Sequence, residues 1–485
     1  MEFPLCRRFE SLRLFSFLFP VAGRKRVLQN EKMQTRREFL KIGAVLTAGT
    51  LFAGGCSHFF SQPQKQAEKQ SAGTINLAFF GLGVMGMADL EALSHLKGVR
   101  VVALCDPDLR RCNRAQKLLK KSGHPEAEIF SDYRKVFDNA RERIDGAVVA
   151  TPDHSHFAVA MEAVIRKKHI FVEKPVCRTI DQMRRLARAS SEAGIVTQAG
   201  NQGAASQHIR TAKEWYEAGI LGEVREIHAW TNRPTWPQGM TEPAVADPCP
   251  PSLDWNIWLG ASRERPYSKA IAPTNWRGWI EYGTGALGDM AQHILNPAYF
   301  IFDLGAPESV EAEAPTVTPL AFPVSSKVTY NFPGNEQRGP IKLVWFDGNN
   351  VPPRPEGLSA GIPFPNGIGG SIIYGSKNTM MLGSSGETMR VLRDYNRIRA
   401  NPPPKKYPRV RGNIYRNWIE AITSGKPTVS GFDYAAPLTE IVLLGVIAQQ
   451  LNRRLEWDGA RGLFKNDPEA NALLKAVPAR PGFLC

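Results

Sequence analysis

From Ile75 onward, short apolar runs alternate with longer stretches whose apolar positions recur every three to four residues. Ile75–Phe80 has strand length and ends at Gly81-Leu82-Gly83-Val84-Met85-Gly86. An amphipathic stretch to Leu96 leads into a second run, Val99–Cys105, closed by Asp106. Further strands are predicted over Asp145–Ala150, His169–Glu173 and Ile195–Gln198, with helices over about Phe157–Lys167 and Asp181–Ala193. Strand runs alternating with helices predict a parallel, doubly wound α/β sheet covered on both faces. Ligands of such sheets lie at the carboxyl ends of the strands. Thr151-Pro152, Glu173-Lys174 and Asn201 all fall at those ends. Helical patterns near Tyr415–Ser424 and Pro437–Leu451 are expected to close a second domain, with Ile441-Val442-Leu443-Leu444 as core. Asp347–Gly370, dense in Pro, Gly and Asn, reads as a long loop expected to cover a ligand cleft.

The first turn carries specific chemistry. Gly81 permits a tight turn, Gly83 lets backbone approach a pyrophosphate, and Gly86 allows close helix–strand packing. The helix opening at Val84 and Met85 offers free N–H groups and partial positive charge to phosphates. Asp106 lies 20 residues beyond Gly86, placed to accept hydrogen bonds from a ribose diol and to repel a 2′-phosphate. NAD is therefore favoured over NADP, with Arg110 and Arg111 keeping NADP as the alternative.

The whole chain of 485 residues has 61 Lys+Arg against 46 Asp+Glu, a net charge of +15 that invites a nucleic-acid reading. Its distribution removes that reading. Residues 1–56 alone carry +6, leaving a diffuse +9 elsewhere, so no nucleic-acid partner is expected. Paired Arg36 and Arg37 precede a 14-residue apolar run, Ile42–Gly55, too short to span a bilayer comfortably. Thr35-Arg36-Arg37-Glu38-Phe39-Leu40-Lys41 resembles the twin-arginine export signal, which implies the export machinery as a partner. Ala53-Gly54-Gly55-Cys56 resembles a lipoprotein processing site, with Cys56 as lipid acceptor and Ala53 as its departure from the pattern. The expected organisation is a leader over 1–56 (with Met33 as a plausible start), a polar tether over 57–73, a dinucleotide-binding domain over 74–200, a second domain over 201–475 and a tail over 476–485. Seven scattered cysteines without a CxxC pair indicate neither a zinc site nor a dense disulfide framework.

The glycine turn, Glu173-Lys174-Pro175 at a strand end, and Gly285-Ala286-Leu287-Gly288-Asp289-Met290-Ala291-Gln292-His293 together resemble the glucose-fructose oxidoreductase / inositol dehydrogenase family (Gfo/Idh/MocA) over roughly residues 74–475. The resemblance implies an N-terminal Rossmann domain and a C-terminal α/β domain with a large, mostly antiparallel sheet that mediates homo-oligomerisation. It also implies a substrate lysine at Lys174, an acid at Asp289 and a general base at His293. The residues themselves agree: Asp289 and His293 are i and i+4 on one helical face, and imidazole suits proton removal near neutrality. His293 would take a sugar hydroxyl proton as hydride leaves for the nicotinamide, Lys174 would polarise the oxygen, and Asp289 would orient substrate or imidazole. Thr151, Pro152, His156, Glu173, Trp276 and Arg277 are candidate cofactor contacts, Asn201 a cofactor and substrate contact, and Tyr282 a substrate contact. Asp289 and His293 could supply two metal ligands, but no further His or Cys clusters with them, so no metal is expected. An exported dehydrogenase meets little free NAD, which favours a retained, recycled cofactor. The readings are a carbohydrate oxidoreductase, a glycoside hydrolase using transient oxidation, and a non-catalytic sugar-binding lipoprotein.

Overall fold

Six short strands, β1 (Ile75–Phe80), β2 (Val99–Cys105), β3 (Glu128–Phe130), β4 (Gly146–Val149), β5 (His169–Val172) and β6 (Thr197–Ala199), form an all-parallel sheet in the computed structural model. Their order is β3-β2-β1-β4-β5-β6, doubly wound as the alternating pattern requires. The structure describes residues 73–365 and 367–484; the twin-arginine stretch, Cys56 and the tether up to residue 72 lie outside the described residues. Leu77, Ala78, Phe79 and Phe80 are all buried, because helices cover both faces of the sheet. Local chemistry sets the helix ends. The Asp108 carboxylate accepts the Arg110 N–H before helix Leu109–Lys121, and Thr179 Oγ1 accepts the Gln182 N–H before Ile180–Ala193. Gly194, in the left-handed region at φ 65°, ends the latter helix.

The second sheet is built from β7 (Val224–Thr231), β8 (Ser309–Glu313), β9 (Ser326–Phe332), β10 (Ile341–Asp347), β11 (Gly369–Gly375), β12 (Thr379–Gly383), β13 (Met389–Val391), β14 (Arg454–Asp458) and β15 (Leu463–Phe464). Its order is β13-β12-β11-β7-β10-β9-β8-β14-β15, antiparallel except where β10 runs parallel to β7. Period-two alternation sends Ile227, Ala229, Leu343 and Trp345 against helices Gly285–Ile294 and Phe432–Leu451. Helix Phe432–Leu451 is long and apolar enough to cross a bilayer, yet Val442, Leu443 and Leu444 are at most 1% exposed, so it serves as a core helix. The opposite sheet face carries Trp230, Val344, Phe346 and Ile372.

Two expectations about the second half change. The loop between β10 and β11 lays Phe364 on Trp230, ring centroids 5.3 Å apart, so that part of it covers the sheet face turned away from the helices. Helix Ile414–Ser424 packs on the first sheet, with Ile414, Trp418 and Ile422 among Leu77, Val148 and Phe171. Phe432 and Ala435 likewise join Val172 and Ala199. The chain thus returns to its first sheet before β14 and β15 complete the second.

Candidate active site

The turn after β1 is forced by its glycines. Gly81 has φ +84°, and a Cβ there would lie 2.6 Å from the Ala150 carbonyl carbon; a Cβ on Gly86 would lie 1.9 Å from the Gly81 carbonyl oxygen. At Gly83 an added Cβ would meet the flexible end of Arg111, at 3.2 Å, and Val84 is 81% exposed, so this edge of the turn faces outward. We expect Gly86→Ala to raise the NADH dissociation constant by at least about tenfold, measured by fluorescence titration; an unchanged constant would show that the tight turn is dispensable for binding.

Asp106 ends β2 and is buried, its carboxylate accepting the Leu82 N–H at 2.7 Å and the Asp108 N–H at 2.9 Å. Arg111 Nη1 stands 3.8 Å from it. At the ends of β4 and β6, Thr151 Oγ1 and both amide atoms of Asn201 are buried without a hydrogen-bond partner among the described residues. Unsatisfied buried polar atoms are costly, and ones aligned along the strand ends of a doubly wound sheet are explained by a ligand that completes them. The glycine cradle, the carboxylate and these orphaned atoms fit a dinucleotide.

β5 delivers Glu173 and Lys174. Glu173 Oε1 accepts from Gln202 Nε2 at 3.2 Å and Oε2 from the Lys174 N–H at 3.2 Å. Burial pushes the Glu173 carboxyl up to about 7, against the pull of the Lys174 ammonium. Lys174 reaches 115 residues along the chain: its Nζ donates to the Asp289 carbonyl at 2.6 Å and to Asp289 Oδ1 at 3.0 Å. Arg277 Nε lies 3.5 Å from the same Oδ1, with its guanidinium over Trp276 at 4.3 Å. Burial would raise the Asp289 carboxyl, but Lys174 and Arg277 outweigh it and hold it below the usual range. One turn on, His293 is buried, its Nδ1 without a partner among the described residues. Burial, reinforced by the Lys174 ammonium, pushes its imidazole down to about 3, so it is neutral at pH 7.

That shift carries a sign. Between pH 6.5 and 3 the unfolded chain protonates His293 and the folded protein does not, so its contribution is complete above 6.5 and lost as pH falls. Glu173, raised in the folded state, works in the opposite sense. The clean comparison is with His293→Gln, whose stability is expected to lose about 2 kcal/mol less than the native protein's between pH 7.5 and 5.0. Urea unfolding at the two pH values checks this, and parallel losses would contradict the neutral buried imidazole.

The structure brings Lys174, Asp289, His293 and Arg277 together; Arg277 meets the carboxylate as well as Trp276. Two other candidates point elsewhere. His156 sets its ring nitrogens against the Thr151 and Pro175 carbonyls, at 2.7 and 2.8 Å, bracing two strand-end turns. Tyr282 is fully buried against His154 and Trp258. Sequence reasoning missed Gln202, Thr284, whose hydroxyl donates to Asp153 Oδ2 at 2.6 Å, and Trp258, which lines the pocket beside Asp106. Gln202 adjoins Asn201 at a strand end and was legible there; Trp258 lies some 150 residues beyond Asp106 with no local signal.

Residues 75–201 match the NAD-binding Rossmann fold of the Gfo/Idh/MocA oxidoreductase family, and residues 212–343 match that family's C-terminal α/β domain. Over 164 residues the chain is 31% identical to glycosyl hydrolase family 109 protein 1 of Bacteroides thetaiotaomicron. That match covers 31% of this chain and spans about a third (35%) of the curated relative. Among solved structures, the aldose-aldose oxidoreductase from Caulobacter crescentus complexed with glycerol aligns with a TM-score of 0.54 at 17% identity, over 79% of this chain and 100% of that one. The WlbA dehydrogenase from Bordetella pertussis, in complex with NADH and UDP-GlcNAcA, aligns at 0.55 and 16%, over 79% and 99%. Both share the fold.

Proposed function

This chain belongs to the Gfo/Idh/MocA oxidoreductase family, and we propose that it oxidises a hydroxyl of a sugar or sugar derivative, with NAD as its dinucleotide. The observation that carries the reading is the Lys174–Asp289 pair at 3.0 Å with a neutral His293 one helical turn away. Gly81, Gly83, Gly86, Asp106, Thr151 and Asn201 would hold the dinucleotide, which when bound supplies a hydride acceptor. The Lys174 ammonium donates hydrogen bonds and positive charge to the substrate oxygen. His293, uncharged and with Nδ1 lacking a partner among the described residues, takes the hydroxyl proton. Asp289 fixes the ammonium and shares the same carboxylate with Arg277. The Asp106 carboxylate, buried and fixed by two backbone N–H groups, favours a ribose diol over a 2′-phosphate.

The name of the glycosyl hydrolase relative favours a second reading on the same residues. Oxidation would be transient there, acidifying the neighbouring C–H so that the glycosidic leaving group departs. The proposal extends to location: the twin-arginine-like stretch Thr35–Lys41 supports export, with Cys56 as a lipid acceptor, and an exported enzyme gains from a cofactor that never leaves. The homologous second sheet supports assembly as a homo-oligomer.

The test is absorbance near 340 nm with NAD or NADP across a panel of sugars and aryl glycosides, with product analysis. Accumulating NADH supports the dehydrogenase. Release of free sugar without accumulation supports the hydrolase. Neither reaction, from a protein that binds no dinucleotide, would sink both.

A further inference from the structure

The pocket at the end of β2 is closed by a segment from the second half of the chain. Ile257 and Trp258 line it together with Asp106, Pro107, Thr151 and Pro152. Their segment, residues 250–260, is tied to both lips of the pocket. On one lip the Leu109 N–H donates to the Ser252 carbonyl at 3.1 Å and the Asp254 N–H to the Pro107 carbonyl at 2.9 Å, with a bridge between Asp108 and Leu253. On the other, His154 Nε2 lies 2.9 Å from the Trp258 carbonyl, from the helix that follows Thr151-Pro152. Trp255 stacks on Trp258, centroids 4.6 Å apart, and stiffens the span.

The carboxyl-terminal tail returns to pin this span. Arg480 donates to the Gly260 carbonyl from Nε (3.0 Å) and Nη2 (2.7 Å), to the Asn256 carbonyl from Nη2 (3.0 Å) and to Asn256 Oδ1 from Nη1 (2.8 Å). A guanidinium over the last carbonyls of a helical turn suits both its hydrogen bonds and its dipole. The tail is itself anchored on the first domain: Arg134 Nη1 donates to the Gly482 carbonyl at 3.1 Å and its guanidinium lies over Phe483 at 4.4 Å.

We propose that residues 250–260, locked by Arg480, form a strap across the adenosine end of the dinucleotide site that slows cofactor release. The inference rests on the dinucleotide reading above and names what keeps the cofactor in place. A ligand under a span fixed at both lips leaves only when those bonds open, so the strap acts on dissociation. Arg480 is a positioning residue and does not reach the ligand itself.

The experiment loads the full chain with NADH, chases with excess NAD and follows the loss of NADH fluorescence. Arg480→Ala, and a chain lacking residues 479–485, are expected to release NADH at least about tenfold faster, with a smaller change in association rate. Arg480→Lys, which keeps charge but not the forked geometry, should fall between. Phe483→Ala, which removes the half-buried ring beneath the Arg134 and Arg480 guanidinium groups, should also accelerate release and serves if the Arg480 variants do not fold. Arg453→Ala, which breaks a surface pair with Asp467 and Glu469, should leave the rate unchanged. Release within about twofold of the native rate in the folded tail variants would overturn the strap while leaving the dinucleotide reading intact. A native protein that binds no NADH would overturn both.

Discussion

Turnover of a His293→Ala protein is expected to fall by about 10²- to 10⁴-fold, with NADH affinity unchanged. Burial and the adjacent Lys174 ammonium keep the imidazole neutral, so its lone pair is available throughout the physiological range. Nδ1 is buried without a partner among the described residues, which is costly unless another molecule uses that position. Alanine removes the acceptor and leaves the helix intact. Steady-state rates beside an NADH titration separate proton handling from binding. A folded His293→Ala protein with near-native turnover would take the proton-acceptor role from this residue.

Lys174→Met should cost turnover about 10²- to 10³-fold, the loss typical of removing one preorganised donor, and should also destabilise the protein. Asp289 is held charged by Lys174 first and Arg277 second, and without the ammonium the Arg277 contact at 3.5 Å is the one that remains among the described residues. Breaking a buried pair from one side costs about 3–5 kcal/mol. Adding Asp289→Asn removes the stranded charge, so the double variant should recover most of the melting temperature and none of the turnover. A Lys174→Met protein as stable as the native one would show that the pair is screened by water, and joint recovery of stability and rate would make the lysine purely structural.

The legible part of this protein was the part written contiguously. Ile75–Phe80, the glycine turn and Val99–Cys105 with Asp106 lie within 32 residues, and local alternation was enough to place them. Lys174 was identifiable at a strand end and Asp289 on a helical face with His293, but their contact joins two domains and no periodicity reports it. Trp418 shows the limit most sharply. Its helical spacing says that one face is buried, and says nothing of which sheet receives it. His156 was placed by its neighbours at a strand end; its ring nitrogens turn to two carbonyls because a buried imidazole takes whatever partners geometry offers.

The return of helix Ile414–Ser424 to the first sheet has a consequence for synthesis. Trp418 is fully buried against a strand made some 270 residues earlier, where a Cβ on Gly146 would lie 3.1 Å from its ring. Until that tryptophan leaves the ribosome, the patch of the first sheet around Gly146, Val148 and Phe171 lacks its cover, so the amino-terminal half is not expected to finish as a free-standing module.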